Sequence, residues 1–448
     1  MTPLRVLIAT DTFKGSVPSP AVCSAIKRGL LDAGSPLLQS DVAIRVCPIS
    51  DGGAGLIDVV CAAVPAMKRV RIDGQLTPLF GPLGEHLHSV YYAVNHEQHE
   101  LVIEMAQAAG LPLVPEPLRN PLNTSSFGVG QLIDAAIRRE TKDAEHWTVY
   151  LGIGGSSTND GGLGALQALG LDVFVPSSHI DDDADSKEEV RLERPLVGRD
   201  LRHVTRLEPS AQFNQRFQGN VKIVLICDVD NPFVGPRGAT RIYGPQKGAT
   251  TDAILEELES GMNHVAGLIH NLTHIDVANM TGAGGAGGMS GSFACLTGAE
   301  WRCGADVVAG LVNLHQLVLD ADLIITGEGS FDSQTLHHKK TAAKLAELVV
   351  QVNKATGGHR RVAVVCGRAQ FEGGLNWNET RAARKLESGV DVQDGVDEES
   401  VLLHDVIHWV CPLTPGAFTV QEAMTNGSLC IEKVVSSEVH VWLEAFAT

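Results

Sequence analysis

Long apolar runs are missing from this chain. No stretch approaches the roughly 20 consecutive apolar residues that a membrane-spanning helix needs, so membrane residence is not expected. The opening "MTPLRVLIATDTFKGS" also lacks a basic flank followed by a long apolar region, and it reads as a strand running into a turn, not a secretory signal. Positive charge is scarce: 35 Lys and Arg stand against 53 Asp and Glu, a formal net charge of −18. That balance argues against nucleic acid as a partner, because displacing counterions takes a local excess of basic groups. Paired cysteines of the CxxC kind are absent. The nine cysteines are odd in number and scattered, several in apolar runs (Cys227, Cys366, Cys411), which predicts reduced, buried thiols and a cytoplasmic location. The phosphate-loop pattern GxxxxGK[ST] occurs nowhere, and "HEQHE" (His96–Glu100) lacks the HExxH spacing of a zinc site. A chain this acidic that binds anions must assemble positive potential locally, from a few Lys and Arg, helix N-termini or a divalent cation.

What is present describes an ordinary globular protein. The 448 residues are 44% apolar and 20% charged, and a chain of that length predicts about two domains. Five short runs rich in Val and Ile, "RVLIAT", "VAIRVCPI", "DLIITG", "RVAVVCG" and "VIHWVCPL", read as buried strands of a parallel sheet. Helix-like stretches such as "SPAVCSAIKRGLLDAG" and "TAAKLAELVVQVNKATGG" lie between them, the alternation of an α/β fold. Two of the runs precede residue 50 and three follow residue 320. The predicted division is therefore a discontinuous sheet domain, 1–75 plus 291–448, carrying an inserted α/β domain over 76–290. In the inserted part "HSVYYAV" and "ELVIEMA" flank a polar turn, "SSFGVGQLIDAAIRRET" is helix-like, and "WTVYLGIGG" and "VKIVLICD" read as strands. The polar stretches near 177–194 and 371–400 read as surface loops.

Five glycine- or carboxylate-rich segments stand out, four of them where such strands end, and ligands of open α/β sheets bind beyond the carboxyl ends of strands. "DTFKGS" brings Asp11, Lys14 and Ser16 to a strand-to-helix turn, where an ammonium and free backbone N–H groups make an anion site. A solvated turn with a capping serine is the plain alternative. "DGGAG" places Asp51 before Gly52 and Gly53, so that backbone can approach a ligand while the carboxylate accepts a proton or holds a metal. "LGIGGSSTNDGG" frees the backbone at Gly154 and Gly155 and offers Ser156, Ser157, Thr158, Asn159 and Asp160 as a cradle for phosphate or carboxylate. It is not the dinucleotide fingerprint GxGxxG. "TGAGGAGGM" adds Gly284 and Gly285, and "ITGEGSFDSQT" adds Glu328 and Asp332, two carboxylates suited to Mg2+. Close packing and helix capping are the competing readings of these last two.

Taken in order, "DTFKGS", "DGGAG", "GPLGE", "VIEMAQAAGL", "NPLNTSSFGVGQLI", "GIGGSSTNDGG", "CDVDNPFVGPRGATRIYGPQKGA", "GAGGAGGM" and "ITGEGSFDSQT" resemble the glycerate kinase type 1 family of bacteria and fungi, collinearly over nearly the whole chain. The resemblance implies ATP-dependent phosphorylation of D-glycerate with Mg2+, the 2-phosphoglycerate product being favoured over the 3-isomer. It also implies a flavodoxin-like discontinuous domain, an inserted domain compared with restriction endonucleases, and a monomer or homodimer whose partners are ATP and substrate. On that resemblance Arg241 and Lys247 supply the positive potential, Asp228 and Asn231 order the metal or the substrate hydroxyls, and Lys14, Asp51 and Asp228 form the catalytic set. The chain departs from the family pattern at Ala54, Phe127, Ser330 and His338. A homologue that binds without turnover and a kinase for another small hydroxy acid remain the alternatives.

Overall fold

The computed structural model describes residues 4–32, 42–74, 78–141, 146–181, 188–217, 219–332, 335, 341–370, 403, 405–414 and 417–447. His338 and the stretch 371–400, as well as 182–187 within the acidic loop, lie outside the described residues. In chain order the strands are β1 (Leu4–Ile8), β2 (Val42–Val46), β3 (Lys68–Asp73), β4 (Ser89–Asn95), β5 (Glu100–Glu104), β6 (Trp147–Gly152) and β7 (Leu171–Pro176). They continue with β8 (Glu189–Arg191), β9 (Arg206–Pro209), β10 (Val221–Ile226), β11 (Glu300–Arg302), β12 (Leu323–Asp332), β13 (Arg361–Gln370) and β14 (Ile407–Thr414). The chain divides into two compact units: Met1–Asp51, Asp58–Pro65 and Ala305–Thr448 form the first, and Gly52–Ile57 with Ala66–Gly304 the second.

All five runs read as strands meet in the first unit, in one sheet of order β14-β13-β12-β1-β2. Every pairing in it is parallel. Counted along the chain the order is 2-1-3-4-5, the flavodoxin-like doubly wound arrangement. The reason lies in the side chains. Val6, Leu7 and Ile8, Leu323 to Ile325, and Val362 to Val365 are all buried, so both faces need cover, and only helical crossovers supply it. On one face the helices Ser19–Asp32 and Gly427–Ala447 pack closely enough that a Cβ on Gly29 would stand 2.5 Å from the carbonyl of Glu432. The helix Thr341–Thr356 packs on β12 and β13 through Ala342, Leu345 and Val349.

The second unit holds a six-stranded mixed sheet of order β11-β10-β6-β5-β4-β3 and a small antiparallel sheet β8-β7-β9. β4 and β5 form the expected hairpin. The helix Phe127–Glu140 buries Val129, Leu132, Ile133 and Ala136 in the core of this unit.

Two expectations change. The boundaries at 75 and 290 move to 65 and 304, because β3 pairs with β4 and β11 with β10, placing both strands in the second sheet. The stretch 177–194 is also not all loop. Its end forms β8 on β7, held by charge pairs that look like solvated polarity in the sequence: Arg191 with Asp172 at 3.0 Å and Arg206 with Glu189 at 3.2 Å, Arg206 lying over the Phe174 ring.

Candidate active site

In the first unit the parallel ladder continues past the end of β1, Ala9 N–H donating to Ile325 O and Asp11 N–H to Gly327 O, and this carries Asp11 to the carboxyl edge of the sheet. Asp11 is buried, accepting from Thr12 N–H at 2.6 Å and from the Thr341 hydroxyl at 2.6 Å. Burial, with the neighbouring Asp51 charge, pushes its carboxyl up to about 6. Lys14 lies not at a helix N-terminus but in a tight turn closed by Phe13 and Val17, before the helix begins at Ser19. Its Nζ donates to Asp51 at 3.0 Å, and Asp51 raises the pKa of the ammonium, with smaller contributions from Asp11 and Glu328. Asp11, Lys14, Asp51 and the buried Glu328 thus form one electrostatic group past the ends of β1 and β2 and beside the middle of β12.

Asp332 stands apart from that group. It accepts from the Ser330 hydroxyl and from Thr335 N–H, both at 3.0 Å, bracing the end of β12. Four residues along one strand amount to roughly 13 Å, so Glu328 and Asp332 do not share one Mg2+ ion. Among the described residues no group of three or more His, Cys, Asp or Glu is arranged to hold a metal. The Ser16 hydroxyl is engaged by the chain itself, donating to Ala423 O at 3.0 Å.

The second unit holds the denser arrangement. After β6 the loop turns through left-handed glycines at 155, 161 and 162. Into it reaches Lys247, from a short helical turn ended by Gly248 at φ +104°, where a Cβ would meet Arg119 O at 2.0 Å. Lys247 is 3% exposed, and its Nζ donates to Ser156 Oγ at 2.9 Å and to Thr158 O at 2.7 Å. Both acceptors are neutral. Burial drags the ammonium down to about 8, partly offset by Asp160. Thr158 Oγ1 and Asn159 Oδ1 are buried with no hydrogen-bond partner among the described residues, while Asn159 Nδ2 donates to the Thr240 hydroxyl at 3.1 Å. The ammonium thus makes no direct ion pair among the described residues, feels the Asp160 carboxylate, and shares its loop with two unmet polar atoms.

The remaining predicted residues hold this arrangement in place. Asp160 is fully buried and accepts from Ser126 N–H and Oγ, each at 2.7 Å, and from Gly162 N–H at 3.0 Å. Ser157 Oγ donates to Ala109 O. Gly284 and Gly285 allow close packing: side chains there would meet Pro232 O at 2.4 Å and Cys227 Sγ at 2.7 Å. Gly52, at φ +85°, lies where a Cβ would stand 2.1 Å from Ile226, and Gly53 backs onto Gly154. Asp228 accepts from Gly304 N–H at 2.7 Å, and Asn231 donates to Arg237 O and accepts from Tyr243 OH. Arg241 is spent on a surface ion pair with Glu256 at 2.6 Å. Among the family departures, Phe127 starts its helix against the Phe80 ring, Ala54 is exposed and Ser330 braces Asp332.

Three participants were not singled out from sequence. Glu104 at the end of β5 accepts from Gly55 and Leu56 N–H and caps the helix Leu56–Ala63. Ser126 binds Asp160, and Thr341 binds Asp11. The carboxylate ending "VIE" and the hydroxyls preceding the apolar helix in "NTSSFG" were the available signals.

Comparison with known proteins bears on the same architecture. The model of the glycerate kinase family matches residues 6–411. Glycerate 2-kinase of Escherichia coli K12 is 36% identical over 336 residues, spanning 75% of this chain and 80% of that one. Glycerate kinase of Bacillus subtilis 168 is 38% identical over 336 residues, spanning 75% and 79%. A crystal structure from Salmonella typhimurium LT2, assigned as glycerate kinase 2, superposes with a TM-score of 0.72 at 28% identity and covers both chains completely. With this span of sequence matched and the same fold throughout, the chain belongs to the glycerate kinase family.

Proposed function

We propose that this protein transfers the terminal phosphoryl group of ATP to D-glycerate, at the 2-hydroxyl, in the cytoplasm. The observation that carries the reading is Lys247, a buried cation whose partners are a hydroxyl and a carbonyl. An anion placed there restores the charge pairing that burial removed. The two unmet atoms beside it complement a hydroxy acid: Thr158 Oγ1 donates to a carboxylate or phosphate, and Asn159 Oδ1 accepts from a hydroxyl. The likeness to the Escherichia coli glycerate 2-kinase favours the 2-hydroxyl. Nine free thiols suit a reducing compartment.

The first unit carries the proton chemistry. A carboxyl near 6 is ionised at neutral pH yet still basic enough to take a proton, so within this unit Asp11 is the candidate base. Asp51, the other candidate, is held by Lys14. A divalent cation fits beside this group, where Asp51 and Glu328, and not the base Asp11, would hold it with phosphate oxygens and water completing the shell. When bound, Mg2+ neutralises charge on the transferring group.

The test is a coupled ADP assay with ATP, Mg2+ and a panel of D-glycerate, glycolate, lactate, tartronate and glycerol. Turnover with D-glycerate is expected, together with a fall of at least 100-fold in kcat/KM for Lys247→Met and no loss of thermal stability. KM for the acid should also rise above pH 8, where the ammonium loses its proton. No turnover from folded protein would favour a binding role, and turnover confined to another acid would replace the substrate.

A further inference from the structure

A cavity of about 350 Å³ opens in the first unit between the helices Gly304–Leu311 and Thr341–Thr356 and the segment after β2. That volume lies at the lower end of the roughly 300–1,000 Å³ typical of small-molecule sites. Its walls include the buried Ile49, Val308 and Leu345 and the half-buried Leu348, with the Glu347 carboxylate among them. The polar groups are arranged along its length. Thr341, Lys344 or Leu345, Leu348 and Gln351 recur at helical spacing, so they share one helix face, and ten residues of helix extend roughly 15 Å. At one end Thr341 is the residue whose hydroxyl binds Asp11. In the middle Lys344 forms an ion pair with Asp306 on the opposite helix at 3.1 Å. At the far end stands the Gln351 amide.

We propose that this slot holds the nucleoside of the phosphoryl donor, the base between Val308 and Leu348 with its edge toward Gln351, and the phosphates running past Lys344 toward Thr341 and Asp11. Three features select this ligand class. A small hydroxy acid has no apolar surface to cover walls of this kind, whereas a purine does. The polar groups of the lining are few, Glu347 and the Gln351 amide toward one end and the Lys344–Asp306 ion pair nearer Thr341, and they suit the exocyclic groups of a base and the hydroxyls of a ribose. The helices that form the slot flank β12, and β12 and β1 are the neighbours at which the strand order 2-1-3-4-5 reverses, the position where open α/β sheets take nucleotides.

The assignment rests on the phosphotransferase reading above, and its test is independent of turnover. Binding of ADP, adenosine, inorganic tripolyphosphate and D-glycerate to the full chain is measured by calorimetry without Mg2+. ADP should bind and adenosine should compete with it. Ala309→Phe, which fills the slot, should weaken ADP at least tenfold while leaving tripolyphosphate and D-glycerate within twofold. Gln351→Leu, at the exposed end and tolerable to the fold, should reduce the preference for adenosine over inosine at least threefold. Unchanged ADP affinity in folded Ala309→Phe, or unchanged base preference in Gln351→Leu if the first variant does not fold, overturns the assignment. Failure of wild-type protein to bind ADP overturns it as well. ADP bound in the slot without glycerate turnover would sustain this inference and remove the proposed reaction; turnover with ADP affinity indifferent to both variants would do the reverse.

Discussion

At Asp11 a carboxylate sits where the sheet leaves little water to solvate it. Its folded pKa, about 6, lies above the ordinary aspartate value of 3.8, so the folded state holds this proton more tightly than the unfolded chain does. The associated stability is therefore complete below about pH 4 and disappears as pH rises through 6. Asp11→Asn should consequently raise the unfolding free energy at pH 8, by an amount on the order of 3 kcal/mol or less, and the melting temperature with it, and leave both unchanged at pH 4. Calorimetry at the two pH values checks this. The same variant should lose at least 100-fold in kcat if Asp11 is the base, the usual range for such a group. Stability and activity then move in opposite directions, which a merely structural aspartate would not produce. Among single residues, legibility from sequence was uneven for a definite reason. Local patterns show where backbone is freed and charge is placed, and they led to Asp11, Lys14 and Asp51, whereas Lys247 came from the family resemblance. They do not show which distant group a side chain meets. Asp228 caps a helix beginning 76 residues later, and Ser16 bonds a carbonyl 407 residues away.

The glycine loop around 282–288 is an element whose function depends on lacking side chains. Gly287 has φ +70°, and a Cβ there would stand 2.2 Å from Thr158 O, the carbonyl that accepts from Lys247. Gly298 has nearly the same φ, +72°, but nothing within 4 Å. Alanine at 298 should thus cost only left-handed strain, about 1 kcal/mol, with activity retained. Alanine at 287 should cost about 2–3 kcal/mol and should reduce kcat/KM by displacing the lysine's partner. Urea unfolding and steady-state kinetics on the two variants separate strain from collision; equal losses would show that the contact with Thr158 is unimportant. Elements were legible in proportion to their apolar content. The five strands of the first sheet contain apolar runs with Val or Ile, and each is visible in the sequence. β3, β8 and β9 are short and charged, "KRVRID", "EVR" and "RLEP", and they become strands only by pairing with a neighbour that sequence periodicity does not identify.

On the scale of the molecule, the second unit is nearly continuous in sequence, and it has its own apolar core reaching from Ile72 to Ala299. We propose that it is a folding domain: residues 52–304 expressed alone should unfold cooperatively in urea, whereas 1–65 alone should show no cooperative transition. A gradual, featureless transition of 52–304 would reject the division. The first unit is different, because its sheet joins the two ends of the chain. Arg5 and Asp322, bonded at the β1–β12 seam, are 317 residues apart. During synthesis at about 5–20 residues per second, β1 and β2 leave the ribosome roughly 15–60 seconds before β12 exists to pair with them. For that interval Val6, Leu7 and Ile8 are an apolar edge without a sheet, while the second unit has time to finish beside them. The strand that carries Asp11 is thus the earliest part of the protein to be made and among the last to be completed, and in a cell it is where a chaperone would be needed.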